Sequence, residues 1–284
     1  MTLTCLARQS GSSCARRATR TPIRAARNPR PRACASIWAR ARLTLKAALC
    51  ALPGLAGAQS WDWQLSEQDL SVDVEILDLD PNAVTREQVA ALSARGIMTI
   101  CYVSVGTVED WRADAGQFPE AVVGRRYGAW PDERYLDMRA QDVLLPLMEA
   151  RFQTCKDKGF DAIEPDNMDI YDHNTGFGLT AGDAIAYVKA LADLAHGMGL
   201  QIGQKTAPEL VPDLEPVLDF VLFEECHEQG YCAAAAPYVA AGKPALNTEY
   251  RLWGQRAACA EAQALGLATI FKRRELGVWR KTCP

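Results

Sequence analysis

Eight short apolar runs punctuate the chain from residue 61 onward: WDWQL (61–65), VEILDL (74–79), IMTICYV (97–103), FDAIE (160–164), LQIGQ (200–204), DFVLF (219–223), PALNT (244–248) and LATIF (267–271). Each has strand length and is close to continuously apolar, the pattern of a strand covered on both faces. The stretches between them carry helical spacing. Residues 85–95 predict a helix with Thr85 as N-cap and Gln88 three residues on, a capping box. Residues 180–198 predict another, with Leu191, Leu194 and Ala195 on one face and Gly199 as its stop. Residues 143–158 predict a third, with Pro146 tolerated in its first turn. Strands alternating with helices mean a parallel sheet, and eight such units predict an α/β fold of one (β/α)8 TIM barrel. No G-x-G-x-x-G follows the first strand, which argues against a dinucleotide fold.

The first 60 residues are of another kind. They hold ten Arg, one Lys and four Cys but no Asp or Glu. Arg42 to Lys46 lead into the apolar run ALCALPGLAGA, which ends in small residues; this is the build of a secretory signal peptide with cleavage after Ala58. The run is shorter than the ~18 residues a membrane span requires. Residues 1–40, rich in Arg and Pro, cannot bury a core; a disordered leader and a start codon assigned too early both account for them. Two regions are therefore expected: 1–58, a basic leader with signal peptide, and 59–284, the barrel.

Charge changes sharply at that boundary. The remainder carries 20 Lys and Arg against 35 Asp and Glu, a formal charge of −15. Such a field repels nucleic acid and anionic membranes and attracts cations. Six cysteines follow the leader, and an even number in an exported chain predicts disulfides. Cys226 with Cys232, and Cys259 with Cys283, are the favoured pairs; Cys101 and Cys155 either pair or stay buried thiols. Zinc fits less well, since no C-x-x-C occurs and the chain has three His.

The chemistry lies at the strand ends. Asp78 and Asp80 follow the second run, Glu109 the third, and Glu164, Asp166 and Asn167 the fourth. Lys205 ends the fifth, Glu224 and Glu225 the sixth, Glu249 and Tyr250 the seventh, and Lys272 the eighth. In a parallel barrel these ends converge on one rim, where active sites of this fold lie. Carboxylates set against apolar strands need partners, for which Lys205 and Lys272 are the candidate counter-charges. Converging acids separate into a proton donor and an ionised group. Such a pair is what glycosidic cleavage requires. Aromatic residues of the same loops suit stacking on sugar faces, with Trp63 and Trp111 as the preferred platforms.

At these residues the sequence resembles the endo-α-1,4-polygalactosaminidases of glycoside hydrolase family 114. The matching elements run in order: WDWQL, DLD, CYVSVGTVEDWRAD, WPDERYLDMR, KGFDAIEPDNMDIYDHNTGFGLT, GQK, FEECHEQGYC and GKPALNTEY. The resemblance implies a TIM barrel and a secreted glycosidase that cleaves α-1,4 linkages in a partly de-N-acetylated, cationic galactosamine polysaccharide. It further implies Asp166 as nucleophile and Glu224 as general acid/base of a retaining mechanism. Trp63, Asp78, Asp80, Glu109, Trp111, Glu164, Asn167, Lys205, Glu249 and Tyr250 are expected to bind substrate. No cofactor and no metal is called for, and the protein is expected to act as a monomer. Phe223 and Glu225 depart from the Asn and Gln usual around the strand-six Glu, and Thr206 departs from the usual Asn. Phe223 would remove an amide that orients the sugar. Two other readings stand beside this one: a non-catalytic polysaccharide-binding barrel, and a divalent-cation-dependent enzyme with Asp166, Asp169 and Asp172, together with Asn167 and Asn174, as ligands.

Overall fold

The structure, a computed structural model, describes residues 59–128 and 130–284. The expected signal peptide and its cleavage site lie outside the described residues. The strands are β1 (Trp61–Gln64), β2 (Ile76–Leu79), β3 (Met98–Ser104), β4 (Thr107–Glu109), β5 (Val123–Arg126), β6 (Glu133–Leu136), β7 (Ala162–Asp166), β8 (Gln201–Lys205), β9 (Phe220–Glu224), β10 (Ala245–Glu249), β11 (Ala268–Phe271) and β12 (Lys281–Thr282). The helices are α1 (Arg86–Ala94), α2 (Gln141–Lys158), α3 (Ala181–Gly197), α4 (Val211–Leu214), α5 (Cys226–Gln229), α6 (Ala236–Ala240) and α7 (Gln255–Leu265). The eight apolar runs become the eight parallel strands, in the order β1-β2-β3-β7-β8-β9-β10-β11. This is a TIM barrel with no helix between β1 and β2 and short helices around β9.

Two apolar layers hold it. Inside the barrel, Trp61, Trp63, Ile76, Ile100, Ala162, Phe220, Leu222 and Leu246 pack together. Outside it, alternate strand residues such as Leu77, Cys101, Ile163, Ile202 and Phe223 pack against the helices. Burial of both faces explains why the runs are apolar at nearly every position.

β1 and β11 share no ladder among the described residues; antiparallel β12 pairs with β11 instead. Side chains bridge this seam. The Trp61 indole N–H donates to the Ala268 carbonyl at 2.7 Å, and Lys272 Nζ reaches Asp62 Oδ1 at 2.7 Å. Lys272, expected as a counter-charge for the rim carboxylates, is therefore spent on Asp62, which points away from the barrel axis. The disulfide Cys259–Cys283 ties the terminal segment to α7, Cys101–Cys155 joins β3 to α2, and Cys226–Cys232 closes the turn after β9.

The helix boundaries follow local chemistry. Thr85 caps α1 with Gln88 reciprocating, and Thr180 caps α3 with Asp183 in the same role. α2 starts at Gln141, two residues earlier than expected, so Pro146 lies inside the helix beyond its first turn. An element the apolar pattern does not reveal is a small antiparallel sheet, ordered β4-β6-β5, inserted between β3 and α2. It forms one wall above the barrel mouth.

Candidate active site

β7, β8 and β9 end alike. Each closes on an inward charged residue (Asp166, Lys205, Glu224), and the next residue (Asn167, Thr206, Glu225) is left-handed, with φ of 62°, 48° and 54°. The kink turns the chain outward while the charged side chains stay over the mouth. Non-glycine residues in this region cost of order 1–3 kcal/mol each and gather where a site demands them. Gly106 serves the same corner: a Cβ there would lie 1.8 Å from the Asn167 carbonyl oxygen.

Lys205 is the hub. Its buried Nζ lies 2.6 Å from Asp166 Oδ1, 2.8 Å from Glu164 Oε1 and 3.3 Å from Glu224 Oε2, and 4.5 Å from the centroid of the Trp63 ring. Desolvation opposes its charge, but Asp166, Glu164 and Glu224 outweigh it and raise the ammonium well above its usual range. Because Asp166 and Glu224 touch the same nitrogen, the oxygens concerned can be no further apart than about 6 Å. Asp166 Oδ2 also accepts the Tyr102 hydroxyl at 2.9 Å and the Asn167 amide at 3.2 Å. Glu224 Oε1 accepts from Tyr250. Burial first, and then the carboxylate each one faces, raises Tyr102 and Tyr250, so both remain donors.

Beneath this surface Glu164 is fully buried, held by Lys205 and by the Trp63 indole N–H at 3.1 Å. Asp78 lies against it, and among the described residues no donor reaches either Asp78 oxygen. Desolvation, followed by the Glu164 charge, pushes Asp78 well above the usual range, which favours the neutral acid, a form able to donate to Glu164.

Above the floor opens a cleft of about 590 Å³, within the size range of small-ligand sites. Of the ten residues expected to bind substrate, Trp63, Asp80, Glu109, Trp111, Asn167, Lys205 and Tyr250 line it, as do both expected catalytic residues. Asp78 and Glu164 do not; they form the layer below. Glu249 does not either, because it faces away from the axis, where its carboxylate accepts the His227 N–H at 2.8 Å and the Asn247 amide at 3.0 Å. Trp63 is 1% exposed: it is the cleft floor rather than a free stacking face. Trp111 and Trp130 are the exposed aromatic faces on this rim, at 57% and 53%. Phe223 points outward and packs edge-on to Tyr231, so its difference from Asn does not alter the cleft.

Several cleft residues escaped the strand-end reading, among them Arg112, Tyr127, Glu133 and Arg274. Tyr127 and Glu133 come from the inserted β4-β6-β5 wall, which the apolar pattern does not mark. Arg112 binds Asp80 and Glu109, each at 2.8 Å, and Arg274 binds Glu225 at 2.7 Å. Among the described residues, Asp166, Asp169 and Asp172 do not bring their oxygens together as a metal-ligating group; the cluster that does approach one, Cys226, Cys232 and Glu249, has both sulfurs in a disulfide.

The model of glycoside-hydrolase family GH114 matches residues 43–284. The chain belongs to this family. It is accordingly a glycosidase, and the carboxylates converging above the barrel are what that chemistry requires. Among solved structures, Ega3 of Aspergillus fumigatus in complex with galactosamine is similar at 30% identity, covering 80% of this chain and 96% of its own, with a TM-score of 0.76. The glycoside hydrolase domain of PelA from Pseudomonas aeruginosa shares the fold at 16% identity, covering 78% and 98%, with a TM-score of 0.62. No curated protein sequence matches it.

Proposed function

We propose that this glycosidase cleaves α-1,4 linkages in a partly de-N-acetylated galactosamine polysaccharide by a retaining mechanism. The observation that carries the reading is the shared contact of Asp166 and Glu224 with one buried ammonium at the floor of an acidic cleft. Retaining enzymes hold their carboxyls ~5–5.5 Å apart and inverting ones ~6.5–9.5 Å; facing oxygens that meet on one ammonium are compatible with the closer arrangement. Three donors (Lys205, Tyr102 and Asn167) reach Asp166 and orient it, which suits the nucleophile. Glu224 has a longer contact to Lys205 and more exposure, which suits the group that exchanges protons with substrate and water.

In the first step an Asp166 oxygen bonds to the anomeric carbon as its bond to the leaving oxygen breaks, and Glu224 gives that oxygen its proton. Glu224, now ionised, takes a proton from water, whose oxygen displaces Asp166 from the same carbon. The similarity to a protein that binds galactosamine, and the charge of −15 beyond the leader, support a cationic amino-sugar polymer as substrate. Three disulfides and the segment preceding Ala58 support export of a barrel comprising residues 59–284. No helix among the described residues is long and apolar enough to cross a membrane.

The test is release of new reducing ends from de-N-acetylated polygalactosamine by purified protein, with the anomer first released read by NMR. Asp166→Asn and Glu224→Gln should each lower turnover by roughly 10²–10⁴-fold while melting near the native temperature. A polymer that binds but is never cut would instead support a non-catalytic binding protein.

A further inference from the structure

Besides Asp166 and Glu224, six carboxylates line the cleft: Asp80, Glu109, Glu133, Asp169, Glu225 and Glu275. The protein supplies cations for four of them. Arg112 serves Asp80 and Glu109, Arg274 serves Glu225, and Arg273 lies 3.9 Å from Glu275. Among the described residues, no Lys, Arg or His nitrogen comes within 4.0 Å of Glu133 or Asp169.

Glu133 is the sharper case. It is 5% exposed yet lines the cleft, and Thr107 donates to its Oε2 at 2.6 Å, while no donor among the described residues reaches Oε1. Its position compounds the cost. In the β4–β6 ladder Glu133 stands directly opposite Glu109, a like-charge pair that destabilises a sheet, and of the two only Glu109 is paired with Arg112. A buried carboxylate facing another carboxylate, with half its acceptor capacity free, is a site short of one cation. The surroundings fit a small one. Tyr127 lines the cleft beside Glu133 and Asp169, and its ring packs against Tyr135 at 5.1 Å and His173 at 5.4 Å. Aromatic faces next to carboxylates are good company for an ammonium.

We propose that Glu133, with Asp169 and Tyr127, is the acceptor for the substrate's ammonium group, and so the residue that selects a charged amine over a neutral substituent. The inference rests on the amino-sugar reading of the cleft and names the group that enforces it. Glu133 lies close to the chemistry: Asn167 Nδ2 bridges Thr107 Oγ1 at 3.3 Å and Asp166 Oδ2 at 3.2 Å, so two side chains link it to the nucleophile. An acetamide brings no charge and leaves Glu133 uncompensated. The pKa shifts of the two carboxylates agree. Burial first, then the Glu109 and Asp166 charges, pushes Glu133 up to about 7, and burial with Asp166 pushes Asp169 up to about 6. An arriving ammonium would ionise both.

Calorimetric titration with galactosamine and with galactose, on the native protein and on Glu133→Gln, tests this directly. A hydrogen bond to a charged group contributes about 1.5–3 kcal/mol, so Glu133→Gln should lose roughly 10- to 150-fold in galactosamine affinity and under about twofold for galactose. Asp169→Asn should lose roughly three- to tenfold in the same direction, and it stands in should Glu133→Gln not fold. Equal losses for both sugars, or none for either, would overturn the proposal. Binding also separates this inference from the hydrolase reading: a native protein that releases no reducing ends, yet prefers galactosamine through Glu133, sinks only the latter.

Discussion

Replacing Lys205 with Met removes one charge and keeps most of the stem that lies over Trp63. At an effective dielectric near 20, each of the three ammonium–carboxylate contacts at 2.6–3.3 Å is worth roughly 5–6 kcal/mol before desolvation. Desolvating the four groups cancels most of that sum. What remains is the cost of stranding buried charge, about 3–5 kcal/mol when one partner of a buried pair is removed. For a domain of this size that is a fall in Tm of roughly 6–20 °C. The pH dependence gives the sharper test. Without Lys205, whose charge lowers Glu164 against its burial, the native pKa of Glu164 rises further, so the folded variant holds more protons than its unfolded chain above pH ~4, and its stability falls as pH rises. Its deficit against the native protein should therefore be largest near pH 7 and shrink toward pH 4. Urea denaturation at several pH values, with disulfides intact, measures this. A deficit under about 1 kcal/mol at pH 7, or one that grows on acidification, would refute the picture of Lys205 as the shared counter-charge.

Other outcomes follow from the same geometry. Asp78→Asn should be nearly neutral in thermal denaturation, because an amide can donate to Glu164 as the acid does. Asp78→Leu removes that donor at a cost of about 1–3 kcal/mol, and equal effects of the two would mean Asp78 is not a donor. Gly106→Ala should displace Asn167, whose carbonyl would sit 1.8 Å from the new Cβ, and so lower kcat at least tenfold with a melting loss of about 1–3 kcal/mol; native turnover would show the corner to be slack. Glu133, pushed up to about 7, binds a proton in the native state that the unfolded chain releases near 4.5. Its contribution to stability is thus whole below that value and is lost as pH rises toward 7, whereas Glu133→Gln should lack this slope in the same titration.

Much of the molecule was legible without coordinates, because some features depend on near neighbours alone. Strand runs buried on two faces must be apolar throughout, and capping boxes need residues three apart; the eight strands and the helices starting after Thr85 and Thr180 were therefore predictable. The motifs around Asp166 and Glu224 likewise lie within single segments. The face a strand-end residue takes was not legible, since a run apolar on both sides carries no alternation from which to read parity. Hence Glu249 and Phe223 turn outward while Glu224 turns in. Nor could the chain order show that Lys272 would close the seam on Asp62, 210 residues away, and leave Lys205 alone to neutralise the floor. Glu133 was missed because β4, β5 and β6 are three or four residues long and largely polar, so the wall they build has no hydrophobic signature. Local chemistry determined the parts and their order. Which charges meet, and which buried carboxylate is left short of a cation, was decided only when distant segments were packed into one low-dielectric mouth, where an unpaired charge is costly.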